Sequence, residues 1–275
     1  MKLRKALEKA KESRKERTHN DLLRDSGVVK NIPGNEWKPP VYSASRRIEL
    51  NLATLLQNRC ICIEPNSPEI DCYKLLRTKI QQLVQQKGWR TVMITSALAG
   101  EGKTLTAINL ALTFAKAYSQ TVMLVDCDLR YQNVHKTLGF VSGSGLIDYL
   151  VHDRPLQEII IWPGVDKLTL ISGGRTIQNS TELLGSPRMQ TLVKEMKSRY
   201  DDRFVLFDVP PLLVGADALA LIPYIDCILM VVYEGWTSTK NVQKALQMLP
   251  QEKFLGFVMN QQKNVRIEKY AYYSR

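Results

Sequence analysis

Residues 91–104 read TVMITSALAGEGKT, and this stretch joins an apolar strand to a loop suited to phosphate. The first six residues have the composition of a strand covered on both faces, and a helical pattern begins directly after the loop. Gly100 and Gly102 allow backbone N–H groups to turn inward and form an anion nest. Lys103 can reach the β- and γ-phosphates of a nucleotide. The stretch therefore predicts a P-loop.

Ala97 stands where the first glycine of a P-loop usually lies. A fortuitous glycine-rich turn is the alternative, but the strand before the loop and the helix after it are the context that phosphate binding requires. The predicted nucleotide contacts are Ala99, Gly100, Glu101, Gly102, Lys103, Thr104 and Leu105.

Two later strands end in aspartates: VMLVDCD ends with Asp126 and Asp128, and FVLFD ends with Asp208. Because the carboxyl ends of parallel strands meet at one edge of a sheet, these carboxylates are expected beside the P-loop. We predict that Thr104, Asp128 and Asp208 hold Mg²⁺, and that Lys103, Asp126, Asp128 and Asp208 form the catalytic set. The alternative is that each aspartate only caps the helix that follows it.

Apolar runs alternate with helical stretches after residue 88, which predicts an α/β fold: a P-loop NTPase with a mostly parallel central sheet flanked by helices on both faces. A further helix is predicted earlier, at residues 69–86. The predicted strands are residues 91–95, 121–126, 167–171, 204–208, 227–233 and 254–260, and the helices between them are residues 103–118, 186–199, 216–222 and 238–249.

The charge of the chain is concentrated at its two ends. The 275 residues carry a formal net charge of +11, with +5 on residues 1–20 (8 − 3) and +3 on residues 263–275 (4 − 1). We predict a basic N-terminal helical and linker region at residues 1–60, a P-loop domain at residues 61–262 and a tyrosine-rich tail at residues 263–275. A basic balance favours an acidic partner such as nucleotide phosphate, anionic lipid or nucleic acid.

The cysteines and the hydropathy pattern favour the cytoplasm. Five cysteines, an odd number without CxxC spacing, fit a reducing compartment, and Cys127 and Cys227 are predicted to be buried thiols. The N-terminus has no apolar stretch typical of a signal peptide, and no uncharged run approaches the roughly 20 residues of a membrane span.

Three motifs together resemble the bacterial tyrosine kinases of exopolysaccharide and capsule synthesis, which belong to the wider MinD/ParA-like group of P-loop proteins. They are SALAGEGKT at residues 96–104, DCDLR at residues 126–130 and DVPP at residues 208–211. The resemblance extends over about residues 60–275. Most other members of the wider group carry a signature lysine where this chain has Leu98, which favours the kinase branch.

The resemblance implies ATP and Mg²⁺ as cofactors and autophosphorylation in trans at the C-terminal cluster Tyr270, Tyr272 and Tyr273. The alternative for these tyrosines is packing at an interface. The resemblance also implies ring-like self-association through an acid-x-x-Arg-x-x-Arg helix, which Asp71, Lys74 and Arg77 match with a lysine in the middle position. A solvated charged helix face is the alternative there, since lysine lacks the bidentate fork of arginine.

The implied partners are a membrane activator of the chain-length-determinant or polysaccharide co-polymerase type, further copies of the chain and a cognate tyrosine phosphatase. The implied location is the cytoplasmic face of the cell membrane, reached through that activator.

The competing function is a MinD/ParA-like ATPase switch that controls membrane or DNA association. A nucleic-acid partner is not expected, because the basic stretches contain few aromatic residues and no recognition helix is evident.

Overall fold

An eight-stranded sheet forms the centre of the computed structural model, which describes residues 45–64, 69–117, 120–198 and 202–262. Residues 1–44 and the predicted phosphate acceptors Tyr270, Tyr272 and Tyr273 lie outside these ranges. The strands are β1 Arg46–Arg47, β2 Thr91–Ser96, β3 Thr121–Asp126, β4 Ile161–Trp162, β5 Leu168–Ile171, β6 Arg203–Asp208, β7 Cys227–Tyr233 and β8 Phe254–Asn260.

The strand order is β1-β4-β5-β3-β6-β2-β7-β8, and every neighbouring pair is parallel except β4 and β5. All six predicted strands are present, and the mostly parallel sheet is confirmed. β3, β6 and β2 are neighbours in the centre, so that the loops after them meet at one edge of the sheet. This order places the P-loop beside the strands that end in aspartates.

Helices cover both faces of the sheet, as predicted. The α-helices within the described ranges are α1 Leu52–Gln57, α2 Ile70–Lys87, α3 Lys103–Ala115, α4 Val134–Leu138, α5 Leu146–His152, α6 Leu156–Ile159, α7 Ser180–Leu184, α8 Pro187–Ser198, α9 Asp217–Leu221 and α10 Thr239–Gln247. Helices α1 to α4 pack on one face, and α5 to α10 pack on the other.

Alternate residues of the central strands supply the two cores. Met123 of β3 and Phe207 of β6 face the core formed with α5 to α10, whereas Leu124 and Leu206 face the core formed with α1 to α4. This alternation follows from the two-residue repeat of a strand, and burial on both faces explains why the strands read as continuous apolar runs.

Residues 45–60 pack with the sheet. Arg46 of β1 pairs with Ile161 of β4, and Leu50 and Leu55 are buried in the core beneath α2 and α3. The predicted division at residue 60 stays a prediction, because most of the basic region lies outside the described ranges.

Cys127 and Cys227 are buried free thiols, as predicted. Within the ranges that the structure describes, no helix combines the length and the apolar character needed to cross a bilayer.

Candidate active site

The P-loop connects β2 to the N-terminus of α3, and two glycines determine its shape. Gly100 has φ +83° and Gly102 has φ +89°, in the left-handed region that side chains rarely adopt. A Cβ at Gly102 would also overlap the side-chain amide of Asn260. The turn directs the chain into the 13-residue helix α3, whose N-terminal N–H groups favour an anion.

The acidic side chains and the P-loop converge at this edge. Asp126 and Asp208 lie directly opposite one another on β3 and β6. Nζ of Lys103 lies 2.9 Å from Oδ2 of Asp128 and 3.4 Å from Oδ1 of Asp208. The hydroxyl of Thr104 donates a 2.6 Å hydrogen bond to Oδ2 of Asp208. The five polar side chains that the sequence singled out therefore form one cluster.

Burial and excess negative charge perturb the acidity of this cluster. Asp126 and Asp208 are fully buried. Burial, with the charge of Asp208, raises the pKa of Asp126 to about 8, and burial also raises the pKa of Asp208. Burial lowers the pKa of Lys103, but the carboxylates of Asp208 and Asp128 outweigh it and raise that pKa overall. Three carboxylates thus surround one ammonium group.

Asp126 and Asp128 also organise the local backbone. Oδ1 of Asp126 accepts the N–H of Asp128, and Oδ2 accepts the N–H of Val134 at the start of α4, each at 3.1 Å. Oδ1 of Asp128 accepts the N–H of Tyr131 at 3.2 Å. Asp126 therefore has two roles: it binds the N-terminus of the next helix, as the capping alternative proposed, and it lies in the acidic cluster.

The predicted nucleotide contacts fall into two groups. Ala99 and Gly100 are exposed on the P-loop, whereas Glu101 is fully buried and its carboxylate accepts hydrogen bonds from Leu98 and Thr237. Gly102 and Leu105 line a cavity of about 750 Å³ that extends from the P-loop to α2 and the end of β8. Asn260 borders the same cavity. The cavity offers apolar and amide surface beside the phosphate loop, which is the composition of a small-molecule site.

The three residues predicted to mediate self-association make different contacts on α2. Nζ of Lys74 forms a 2.9 Å ion pair with Asp71 on the exposed surface. Arg77 turns inward and donates a 2.8 Å hydrogen bond to the carbonyl of Thr113 in α3. Arg77 therefore joins two helices of one chain, while Asp71 and Lys74 remain accessible.

Arg130 is fixed by a network that the sequence does not reveal. Its Nε donates to Oγ of Ser180 at 2.8 Å and lies 3.4 Å from Oδ2 of the buried Asp217. Ser180 also donates to Asp217 at 2.7 Å. The guanidinium group is partly exposed and is held two residues beyond Asp128. Because Ser180 and Arg130 are 50 residues apart, spacing alone could not identify the pair.

Trp236 and Thr237 are also close to the P-loop. The indole lies 4.0 Å from the position that a Cβ on Gly100 would occupy, and the hydroxyl of Thr237 donates to the carboxylate of Glu101. The position of Trp236, three residues after the end of β7, is the only sequence signal for this neighbourhood. Nothing in the sequence separates Thr237 from other surface threonines.

The cluster suits a divalent cation bound together with phosphate. The excess of carboxylate over ammonium is a charge imbalance that a cation would relieve, and a cation would reverse the raised pKa values. Among the described residues, no group of three or more His, Cys, Asp or Glu side chains has the arrangement of a metal site. Mg²⁺ usually takes only one or two protein carboxylates and completes its shell with water and phosphate oxygens, so Thr104 and Asp208 fit that manner of binding.

Comparisons with known proteins identify relatives of this chain in sequence and in structure. The sequence profile described as "AAA domain" matches residues 89–253. Tyrosine-protein kinase YwqD of Bacillus subtilis (strain 168) is 34% identical over 226 residues, which are 81% of this chain and 94% of YwqD. The kinase domain of the Escherichia coli tyrosine kinase ETK superposes with a TM-score of 0.67 and 25% identity, covering 82% of this chain and 93% of that domain.

The fold also extends beyond kinases. The septum site-determining protein MinD of Pyrococcus horikoshii OT3, solved with Mg-ADP, superposes with a TM-score of 0.52 and 22% identity over 62% of this chain and 69% of MinD. The MinD-like P-loop fold is thereby confirmed. Several longer tyrosine-protein kinases also match, and the chain spans 24–34% of their length. On its similarity to YwqD and on the motifs assembled at the sheet edge, the chain belongs to the family of bacterial tyrosine-protein kinases.

Proposed function

We propose that the protein transfers the γ-phosphate of ATP to tyrosine hydroxyl groups. The observation that carries this proposal is the convergence of Lys103, Thr104 and three buried aspartates at the edge of the sheet where the P-loop begins α3. Phosphoryl transfer needs positioned positive charge near the phosphates and a group that orients the acceptor. Lys103 supplies the positive charge, and the aspartates can orient the acceptor.

The cofactors in this proposal are ATP and Mg²⁺. Lys103 and the P-loop N–H groups would hold the phosphates, while Thr104, Asp128 and Asp208 would hold the ion directly or through water. When bound, the ion neutralises charge on the phosphates and orients them. The ion pair of Lys103 with Asp128 keeps the ammonium group oriented at the P-loop before ligand enters.

Asp126 is proposed to orient or deprotonate the acceptor hydroxyl. A free phenol has a pKa of about 10, so a strong acceptor helps it to react near neutral pH. Burial raises the pKa of Asp126 to about 8, and a bound cation would lower it again, so that the side chain would be a charged carboxylate able to accept the hydroxyl proton. Its oxygens accept only one backbone N–H each, which leaves further acceptor capacity.

The proposed acceptors are Tyr270, Tyr272 and Tyr273 of a neighbouring copy. Two features support this part: the tyrosines lie in a basic segment, and β8 ends at the same sheet edge as the P-loop, so that residue 262 borders the cavity beside the P-loop. The proposed functional division is a basic region at residues 1–60, the catalytic domain at residues 61–262 and an acceptor tail at residues 263–275.

In this proposal the kinase regulates polymerisation or export of an exopolysaccharide or capsule. It acts in the cytoplasm at the inner face of the membrane, where a polysaccharide co-polymerase activates it and a tyrosine phosphatase reverses its action. Self-association would use the exposed Asp71 and Lys74 of α2. The family membership and the resemblance of the motifs support these roles.

Purified protein incubated with ATP and Mg²⁺ should become labelled with phosphotyrosine, and Lys103→Met should abolish the labelling. Unchanged labelling in Lys103→Met would overturn the assignment. Nucleotide-dependent binding to lipid vesicles or DNA, without phosphotyrosine, would instead support an ATPase switch.

A further inference from the structure

Glu101 is a buried acid inside the loop that is to receive phosphate. A carboxylate there would repel phosphate if it faced the nucleotide, yet the side chain is completely buried. Burying a charge is unfavourable unless hydrogen bonds compensate for it. The partners of Glu101 therefore indicate why an acid occupies this position.

Both carboxylate oxygens of Glu101 accept hydrogen bonds from the two segments that they join. Oε2 accepts the N–H of Leu98 at 2.7 Å, which closes the P-loop on itself. Oε1 accepts the hydroxyl of Thr237, which belongs to the loop between β7 and α10. The same hydroxyl oxygen accepts the N–H of Tyr233 at 3.2 Å, so that it is itself fixed. Charge-assisted bonds of this kind are among the stronger ones in proteins.

A third contact reaches the backbone of the same residue. Nδ2 of Asn260, the last residue of β8, donates to the carbonyl of Glu101 at 2.9 Å. Trp236, one residue before Thr237, lies beside Gly100. The P-loop is thus connected through Glu101 to the ends of β7 and β8, on the side away from the aspartates.

We propose that Glu101 is a positioning residue, whose carboxylate holds Leu98 and Thr237 so that the P-loop keeps the conformation that binds a nucleotide diphosphate. The inference rests on the proposed function for the identity of the ligand. It assigns Thr237, in a loop outside the P-loop motif, to the nucleotide site. The anion nest needs its N–H groups preorganised, because a loop that must be ordered at each binding event loses affinity.

Calorimetric titration of the full-length protein with Mg-ADP tests the proposal without involving phosphoryl transfer. Thr237→Val keeps the shape of the side chain but removes the hydroxyl, and Glu101→Gln replaces one acceptor oxygen with a donor. We expect each variant to bind Mg-ADP about 10-fold more weakly, which corresponds to the loss of one hydrogen bond to a charged group. Thr237→Ser retains the hydroxyl and should bind within about 2-fold of the parent.

The double variant Glu101→Gln/Thr237→Val should bind about as weakly as Glu101→Gln alone, because both changes break the bond between these two side chains and only the change at Glu101 also affects the bond to Leu98. Among the single variants, the KM for ATP should rise by about the same factor as Kd, while kcat changes less than about 3-fold. Circular dichroism and thermal unfolding would verify the fold. If Glu101→Gln does not fold, the Thr237 pair alone decides the test.

Three results would overturn the proposal: parental affinity in Thr237→Val, equal weakening in Thr237→Ser and Thr237→Val, or a double variant weakened by the product of the single effects. Failure of the proposed function is recognised separately. If wild-type protein binds Mg-ADP but forms no phosphotyrosine, kinase activity is refuted, whereas the positioning role is still judged by the Thr237 series.

Discussion

Lys103 and Asp128 form a buried ion pair, with Nζ of the lysine 2.9 Å from Oδ2 of the aspartate. The same two side chains are proposed to hold phosphate and Mg²⁺. The ammonium group therefore has an internal partner whose attraction competes with that of a phosphate, and the aspartate has a cation that competes with the metal. Binding of nucleotide with Mg²⁺ would therefore replace the pair between Lys103 and Asp128 with a pair between Lys103 and phosphate and a pair between Asp128 and Mg²⁺.

Removing the charge of Asp128 should separate these effects. In Asp128→Asn we expect phosphotyrosine formation to fall on the order of 100-fold, because charge stabilisation at the metal is lost. ADP binding without Mg²⁺ should become tighter, because Lys103 is freed from its partner. Titration with ADP in EDTA and in Mg²⁺ measures the two affinities, and a phosphotyrosine assay measures the rate. Glu158→Gln, which alters an exposed ion pair with Arg154, is the matched control, and unchanged affinity in EDTA would contradict the competition.

The hydroxyl of Thr104 is predicted to set the requirement for Mg²⁺. Its 2.6 Å bond to Asp208 holds the two proposed magnesium ligands next to one another. Thr104→Ala should lower phosphotyrosine formation on the order of 100-fold and raise the Mg²⁺ concentration for half-maximal rate, whereas Thr104→Ser should keep most of the activity. Rates measured across a Mg²⁺ series test this, and equal half-maximal concentrations in the alanine and serine variants would exclude the role.

Sequence periodicity was sufficient for the central strands and for the edge strand β8, and it was insufficient for β1 and β4 at the other edge. Long apolar runs such as residues 227–233 are buried on both faces, so the sequence alone identifies them as strands. The edge strand β1 and its neighbour β4 have two residues each, and α6 has four, which is too short for a period to be visible. Tertiary packing determines such segments.

The candidate site likewise contains residues that the sequence identifies and contacts that it does not. Lys103 and the aspartates have strong local motifs, so their convergence follows from strand order alone. The inward turn of Arg77, in contrast, depends on where α3 lies beside α2, and helical spacing places Arg77 on the same face as Lys74. Likewise, the bond of Glu101 with Thr237 joins residues 136 positions apart, which no motif records.

Arg77 and Lys74 should therefore differ in what they stabilise. Arg77→Ala removes the bond to the carbonyl of Thr113 and should lower the free energy of unfolding by about 1–3 kcal/mol. Lys74→Ala breaks an exposed pair and should change it by less than about 1 kcal/mol, while weakening any self-association. Urea unfolding and sedimentation velocity measure the two effects. Reduced association in Arg77→Ala without lost stability would support an intermolecular role for Arg77 instead.

Transfer between copies predicts labelling of an inactive chain. Lys103→Met with its tyrosines intact serves as acceptor, and an active chain with Tyr270, Tyr272 and Tyr273 changed to Phe serves as donor. After incubation with ATP and Mg²⁺, mass spectrometry should locate phosphate on the terminal tyrosines of the acceptor, at a rate that rises with donor concentration. An acceptor that stays unlabelled, beside a parental chain that labels itself at any dilution, would show transfer within one chain.

Asp226 predicts a pH dependence of stability that is separate from the site. It lies at the amino ends of the strands, directly before β7, whereas the P-loop lies at their carboxyl ends. Its carboxylate accepts the N–H groups of Arg90 at 2.8 Å and Thr91 at 3.0 Å and pairs with Lys197 at 2.6 Å. Burial raises its pKa, but the bonds from Arg90 and Lys197 outweigh burial and lower the pKa below its ordinary value. The folded protein therefore favours the charged form, and this stabilisation is complete above the unfolded pKa.

Asp226→Asn should thus lower the free energy of unfolding by about 1–3 kcal/mol at pH 7. The difference from the parent should shrink as the pH falls below about 4, the unfolded pKa, and should lose its charge-dependent part below the folded pKa. Urea unfolding from pH 7 to pH 3 measures this, with the exposed Asp153→Asn as control. A difference that stays constant over that range would show that shape, not charge, matters. Because Asp226 is remote from the P-loop, Mg-ADP affinity should remain unchanged in the folded variant.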